Sequence, residues 1–191
     1  MPTKFYPNMT LLVAVFIMIL AATANAQKSY ILSSSKMSVE GTSSLHDWTS
    51  DVVKMDWSGK ILVDGTSVKA ISEVTVNIAV TDIKSSKGGM MDDKTYEAFK
   101  SEQNPTITFK LTSVAMSGNE AKANGTLTMA GVTKPIILNV STKLLADGSV
   151  NLSGSQVINM KDFNMKPPKA VMGTIKVGEK ITLLFELIVK P

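Results

Sequence analysis

The chain has 191 residues, enough for one domain with a full core, and carries 20 basic against 16 acidic residues. Every basic residue is lysine, scattered among acids as at Lys54-Met55-Asp56 and Glu179-Lys180, so the forked donors that grip phosphate or guanine are missing and nucleic acid is not an expected partner. There is no cysteine, which excludes disulfides, thiol chemistry and a cysteine-linked lipid anchor.

Residues 1–26 read as a cleaved secretory signal: Lys4, an apolar run from Leu11 to Leu20, and the small-x-small site Ala24-Asn25-Ala26. The run falls short of the ~20 apolar residues that span a bilayer. Residues 27–191 are then the mature, periplasmic or secreted domain, which an anionic membrane surface can still attract weakly.

From Tyr30 onward the hydrophobic period is mostly two, the signature of strands. Val53, Met55 and Trp57 alternate with Lys54 and Asp56; Val74, Val76, Ile78 and Val80 with Thr75 and Asn77; Ile107, Phe109 and Leu111 with Thr and Lys; Leu127 and Met129 with Thr126 and Thr128. Ile181, Leu183, Phe185, Leu187 and Val189 form the longest single-face row. An apolar face backed by a Thr/Lys face is what an antiparallel sheet with one wet side requires. Turn signals fall at Trp57-Ser58-Gly59, Asp64-Gly65, Ser117-Gly118-Asn119, Asp147-Gly148 and Val177-Gly178-Glu179. Asn124-Gly125 reads either as a hairpin turn or as a bent, bulged strand.

One segment breaks the pattern. After Ser85-Ser86-Lys87-Gly88-Gly89, Asp92 or Asp93 is placed to cap a short helix with Met91, Thr95 and Phe99 on one face and Tyr96 beside them, and Asn104-Pro105 is placed to stop it. Eight to ten strands and one helix, about that many by their spacing, suit either a sandwich or a closed barrel.

Sites for chemistry are sparse. The one histidine, His46, lies beside Asp47 and near Ser43 and Ser44, but adjacent strand residues point to opposite faces, which places His46 and Asp47 poorly for a dyad. No Gly-x-Ser-x-Gly elbow is present. His46 is expected at a strand start or at a cavity mouth. One histidine without cysteine does not make a zinc site, and Met90-Met91 with Met160, Met165 and Met172 lack the dense repeats of a copper site. Neither a metal nor a cofactor is expected. Methionine instead suits a flexible apolar lining. Aromatic residues and methionines are therefore either ordinary core or the wall of a lipid cavity.

Five segments carry a resemblance: Gly41-Thr42-Ser43-Ser44-Leu45-His46-Asp47-Trp48; Gly88-Gly89-Met90-Met91-Asp92 leading to Tyr96-Glu97-Ala98-Phe99; Asn104 to Lys110; Gly125 to Pro135; and Lys161-Asp162-Phe163-Asn164-Met165. Together, in this order, they resemble the YceI-like family of exported bacterial proteins. The resemblance implies an all-β, extended eight-stranded antiparallel barrel, lipocalin-like in shape, whose interior takes an isoprenoid chain such as a polyprenyl lipid or a quinone tail, with no covalent chemistry. It also favours the bent-strand reading of Asn124-Gly125. Where many members carry Arg-Asp before the helix, this chain has Met91-Asp92, so no arginine is available here for a ligand head group. From alternation and size, the expected lining is Met55, Trp57, Phe99, Phe109, Met129, Phe163, Met165 and Phe185, with His46 at the mouth. The competing expectation is a fully packed barrel that serves as a surface-interaction or stress-response module.

Overall fold

The computed structural model describes residues 27–170 and 174–191; the expected signal segment and Met172 lie outside the described residues. Among the described residues eleven strands and one α-helix follow in chain order. They are β1 (Lys28–Ser43), β2 (Trp48–Val52), β3 (Asp56–Asp64), β4 (Ser67–Ala79), β5 (Ile83–Ser85), α1 (Gly89–Phe99), β6 (Thr106–Ser117), β7 (Glu120–Met129), β8 (Val132–Leu144), β9 (Val150–Asn159), β10 (Lys169–Ala170) and β11 (Ile175–Lys190).

Eight long strands run in the order β1-β3-β4-β6-β7-β8-β9-β11, and β11 pairs back onto β1 to close an antiparallel barrel. β2 and β5 prolong β3 and β4 past their breaks: β2 pairs with the far half of β1 and with β5. Neighbours in the wall are neighbours in sequence, so the alternation of each strand puts its apolar residues inside and its Thr and Lys outside. Closure through β11 and β1 leaves neither of these strands as a free edge.

The chain reverses at two ends. Ile61, Val150 and Val189 are almost fully buried at the end that carries Lys28 and Lys190, where the Tyr30 hydroxyl donates to the Gly148 carbonyl at 3.3 Å. The other end carries the β1–β2 loop, α1, the β7–β8 turn and a 3-10 turn at Met160–Phe163. There the wall loosens. The ladder between β8 and β9 runs only from Leu144↔Val150 to Val140↔Gly154, and the remaining lengths of the two strands pair only with β7 and β11. Pro135, which has no N–H to donate, lies in the unpaired stretch of β8.

Several glycines expected to turn the chain lie within strands instead. Gly59 is inside β3 and Gly178 inside β11; Gly125 is inside a continuous β7. At Gly125 the irregularity sits on the partner, β6, between Leu111 and Ser113. The bulge shifts the inward phase from Ile107, Phe109 and Leu111 to Val114, and this is the bent-strand reading. The physical reason for the glycines is ring packing. A Cβ at Gly125 would lie 2.5 Å from the Phe109 ring and 2.6 Å from the Lys110 carbonyl oxygen, and one at Gly59 would lie 2.8 Å from the Trp57 ring. Trp48 lies over Gly41 and Phe185 over Gly154 in the same way. The β7–β8 reversal falls at Ala130-Gly131, both at positive φ.

The helix also differs from expectation at both ends. It starts at Gly89 behind Gly88, with no side-chain cap. Asp92 lies inside the first turn, buried, where one carboxylate oxygen accepts the Ser85 N–H at 2.7 Å and the other sits 3.7 Å from Lys84 Nζ. The helix ends at Phe99 because Lys100 takes the left-handed conformation, well before Asn104-Pro105.

Candidate functional site

The inward-facing rows do not fill the barrel. They enclose a cavity of about 280 Å³, far more than the ~10–15 Å³ one water requires. A barrel packed solid, the competing expectation, does not describe this molecule. The wall is contributed by all eight long strands together with β2, β5 and α1.

Of the residues expected from alternation and size, Met55, Trp57, Phe99, Phe109, Met129, Met165 and Phe185 line this cavity. They converge from four strands, the link between β2 and β3, the helix and the loop before β10. Phe109 and Phe185 are half-buried, because each ring has protein on one side and the lumen on the other. Phe163 does not line it. It sits on the 3-10 turn, where side chains do not follow the strand period, and it is buried against a second, smaller depression. That depression is lined by Lys134, Pro135, Ile136 and Gln156 to Asn159, so Phe163 fills the place where β8 and β9 part. Ile136 and Ile158 border both spaces, and Ile137 and Val157 flank the seam on the outside at 46 % and 55 % exposure.

The helix presents Met91, Thr95, Ala98 and Phe99 to the lumen, which is the face expected from its spacing, and adds Lys94. It is held on the barrel by polar contacts outside the cavity. Lys84 Nζ donates to the Tyr96 hydroxyl at 2.6 Å and lies 5.2 Å from the centre of that ring, and Tyr96 Oη donates to the Thr81 carbonyl at 3.1 Å. The hydrogen bond to Tyr96 holds the Lys84 ammonium above its usual range.

His46 is exposed and borders the cavity, together with Leu45, which is 66 % exposed; the lumen therefore reaches the surface beside the β1–β2 loop. His46 Nδ1 lies 2.7 Å from the main-chain carbonyl oxygen of Asp47, not from its carboxylate. A carbonyl only accepts, so Nδ1 is the donor of this contact, and Nε2 makes no hydrogen bond among the described residues. Ser43 Oγ donates to the His46 carbonyl at 2.7 Å and accepts from the Leu45 and His46 N–H groups, while Ser44 Oγ accepts the Lys176 N–H at 3.1 Å. These serines shape the loop and fasten it to β11; no nucleophile–base–orienter arrangement forms. Among the described residues no group of three His, Cys, Asp or Glu side chains is placed to hold a metal ion.

One polar residue of the wall does not stand out in the apolar alternation. Ser50 lies between Trp48 and Val52 on the inward face of β2, 4 % exposed. The signal was the period itself, masked by the polar look of Thr49-Ser50-Asp51.

Comparison with known proteins agrees with this architecture. A family model described as the YceI-like domain matches residues 23–189. Curated relatives are similar over shorter stretches: a UPF0312 protein of Pseudomonas paraeruginosa is 38 % identical over 71 residues, covering 34 % of this chain and 36 % of its own length. Protein YceI of Escherichia coli O157:H7 is 39 % identical over 69 residues, covering 32 % and 35 %. The match thus spans about a third of each of these relatives. Among solved structures, Burkholderia cenocepacia BcnA superposes with a TM-score of 0.66 at 19 % identity, over 82 % of this chain and 96 % of that one. A polyisoprenoid binding domain from Saccharophagus degradans, implicated in plant cell wall breakdown, gives 0.65 at 13 % identity, over 84 % and 97 %. At such identities the likeness concerns the fold.

Proposed function

The chain belongs to the YceI-like family, and from that premise we propose that it binds one amphiphile with a long apolar tail, an isoprenoid-like chain such as a polyprenyl lipid or a quinone tail. The observation that carries this is the cavity: about 280 Å³, reaching the surface beside Leu45 and His46 and apolar along its length except for Ser43, His46, Ser50, Lys94 and Thr95. That composition suits a tail and offers little to a polar metabolite. The Saccharophagus domain of the same fold, described as binding polyisoprenoid, supports the choice of tail.

Magnitudes set the length of chain required. Each methylene removed from water contributes ~0.8 kcal/mol, whereas association costs ~4–15 kcal/mol in lost freedom of motion. Tight binding therefore calls for roughly fifteen to twenty buried carbons, three or four isoprene units. The methionines suit a ligand of irregular outline, because their unbranched side chains follow its shape. The reading involves no covalent step: the barrel shields the tail from water and releases it unchanged.

We extend the reading to export, with residues 1–26 as the signal and residues 27–191 as the mature protein, on the strength of the Leu11–Leu20 run and the Ala24-Asn25-Ala26 site. Mass measurement of the protein recovered outside the cytoplasm checks this: a chain beginning at Gln27 is expected, and an uncleaved chain overturns it.

Native mass spectrometry of gently purified protein tests the binding function. A bound amphiphile of one or a few discrete masses is expected. If only the ligand-free mass is found, and added C15–C20 isoprenoid chains of about that length fail to bind, the reading falls.

A further inference from the structure

Four polar side chains among the described residues are classed as buried, and three are satisfied by the protein. Thr142 donates to the Asn119 carbonyl at 3.0 Å, Ser149 bonds Asp147, and Asp92 accepts from Ser85. Ser50 is the exception. At 4 % exposure its hydroxyl has no hydrogen-bond partner among the described residues, yet no side-chain oxygen is sealed away without one. Both statements hold only if the oxygen opens onto the lumen that Ser50 lines. An unpaired hydroxyl in an apolar wall costs free energy that a valine at the same position would not.

Further polar groups line the same cavity. Thr95 Oγ1 donates to the Met91 carbonyl at 3.1 Å, which leaves it lone pairs. His46 donates through Nδ1, and in its neutral form the ring offers a lone pair on Nε2. Among the described residues Lys94 is the only lysine in the lining, and its ammonium is already engaged by Glu97 at 2.7 Å. Ser50 can both donate and accept.

We propose that Ser50 is the inner anchor of a polar subsite that receives a neutral hydroxyl-bearing head on the ligand, the group of a long-chain alcohol or phenol, and disfavours a phosphate head. This rests on the amphiphile-binding reading above and narrows it. A hydroxyl accepts from Ser50 and donates to a lone pair such as those of Thr95 or His46. A phosphate brings two negative charges to a wall that has no arginine, a lysine already paired and neighbours that present lone pairs, and burying charge without a partner is far costlier than burying a hydroxyl.

The test compares three ligands of equal carbon number on the protein as it stands: geranylgeraniol, geranylgeranyl monophosphate and the saturated hydrocarbon phytane. The alcohol is expected to bind at least about tenfold tighter than the phosphate. Ser50→Ala is expected to weaken the alcohol about three- to tenfold and leave phytane unchanged, and Ser50→Thr, which keeps the hydroxyl, is expected to retain the alcohol preference. Urea unfolding of each variant separates loss of the site from loss of the fold. Equal alcohol affinity in wild type and Ser50→Ala, or a phosphate that binds as tightly as the alcohol, overturns the subsite while tail binding stands. If neither the alcohol nor phytane binds the wild type, the lipid-binding reading itself fails and takes the subsite with it.

Discussion

The two ends of the barrel are built from the same residue types and put them to opposite uses. At the end that carries Lys28 and Lys190, Ile61, Val150 and Val189 are almost fully buried, Val150 and Val189 as direct partners on β9 and β11, so side chains occupy the interior. Toward the helix, rings and methionines lie back against the wall, several of them over glycines, and the interior stays open. The β8–β9 ladder follows the same division, complete at the filled end and interrupted at the open one, where Phe163 stands in for the missing pairing. Hydrophobic content alone does not decide between core and cavity. What decides is whether facing residues are branched and project inward, or are rings laid flat on a backbone that has no Cβ to hold them off.

Substitutions at the two ends should separate stability from binding. The largest effect is expected at the seam: Phe163→Ala removes the side chain that fills the β8–β9 parting and should cost about 3–5 kcal/mol, read from urea unfolding, with faster hydrogen exchange in residues 134–139 and 155–159. Unchanged exchange there would show that the seam does not depend on Phe163. Ile61→Ala, at the filled end, should cost about 2–5 kcal/mol while leaving ligand affinity unchanged under conditions where the variant remains folded.

Within the open half, Gly125→Ala tests the ring-over-backbone arrangement. Its Cβ meets the Phe109 ring and the Lys110 carbonyl oxygen, so a loss of about 1–3 kcal/mol is expected, and a neutral result would mean that the wall can move. Met91→Ala on the helix should reverse the Ile61 outcome, weakening a bound tail about tenfold while changing stability by less than about 1 kcal/mol.

Opposite extremes of pH should give the smallest effects. Hydrogen bonds from the Ser149 N–H and hydroxyl hold the Asp147 carboxyl below its usual 3.8. Its contribution is therefore present above 3.8 and disappears as pH falls through the lowered value. Lys84 is held above 10.5, so its contribution is complete below 10.5 and disappears as pH rises through the raised value. Burial pushes the Tyr30 phenol upward too, adding an alkaline loss at the filled end. Comparing wild type with Lys84→Met and Asp147→Asn across pH isolates each. The lysine difference should shrink at alkaline pH and the aspartate difference at acid pH.

Much of the wall was legible because one-sided burial enforces a period of two, and Trp57, Phe109, Met129 and Phe185 follow it into the cavity; Met55 lines it from the link between β2 and β3, while Val53, expected in the same row, is 62 % exposed. Phe99 and Met91 were legible from helical spacing. The errors share a cause: local signals do not reveal what lies across the sheet. Gly125 and Gly178 carry the same message in sequence whether the chain turns or a residue of the neighbouring strand crosses close over it, as Phe109 and Thr42 do here. The ambiguity at Asn124-Gly125 was resolved by family resemblance, not by the residues themselves. Phe163 has the size and polarity of a lining residue, but a 3-10 turn aims it at the seam. Ser50 was passed over because a serine between threonine and aspartate looks solvent-facing, although the phase of β2 carries it inward.

The placement of Trp48 and Trp57 has a practical consequence. The chain has two tryptophans, and both border the lumen. Trp57 is buried on β3, whereas Trp48 stands beside the β1–β2 loop with its indole N–H donated to the Thr42 carbonyl at 3.2 Å. The native emission of the protein therefore comes wholly from indoles at the site, one deep and one near the rim. A titration can be followed without any attached dye, and single Trp→Phe replacements would report how far down the barrel an arriving molecule has travelled.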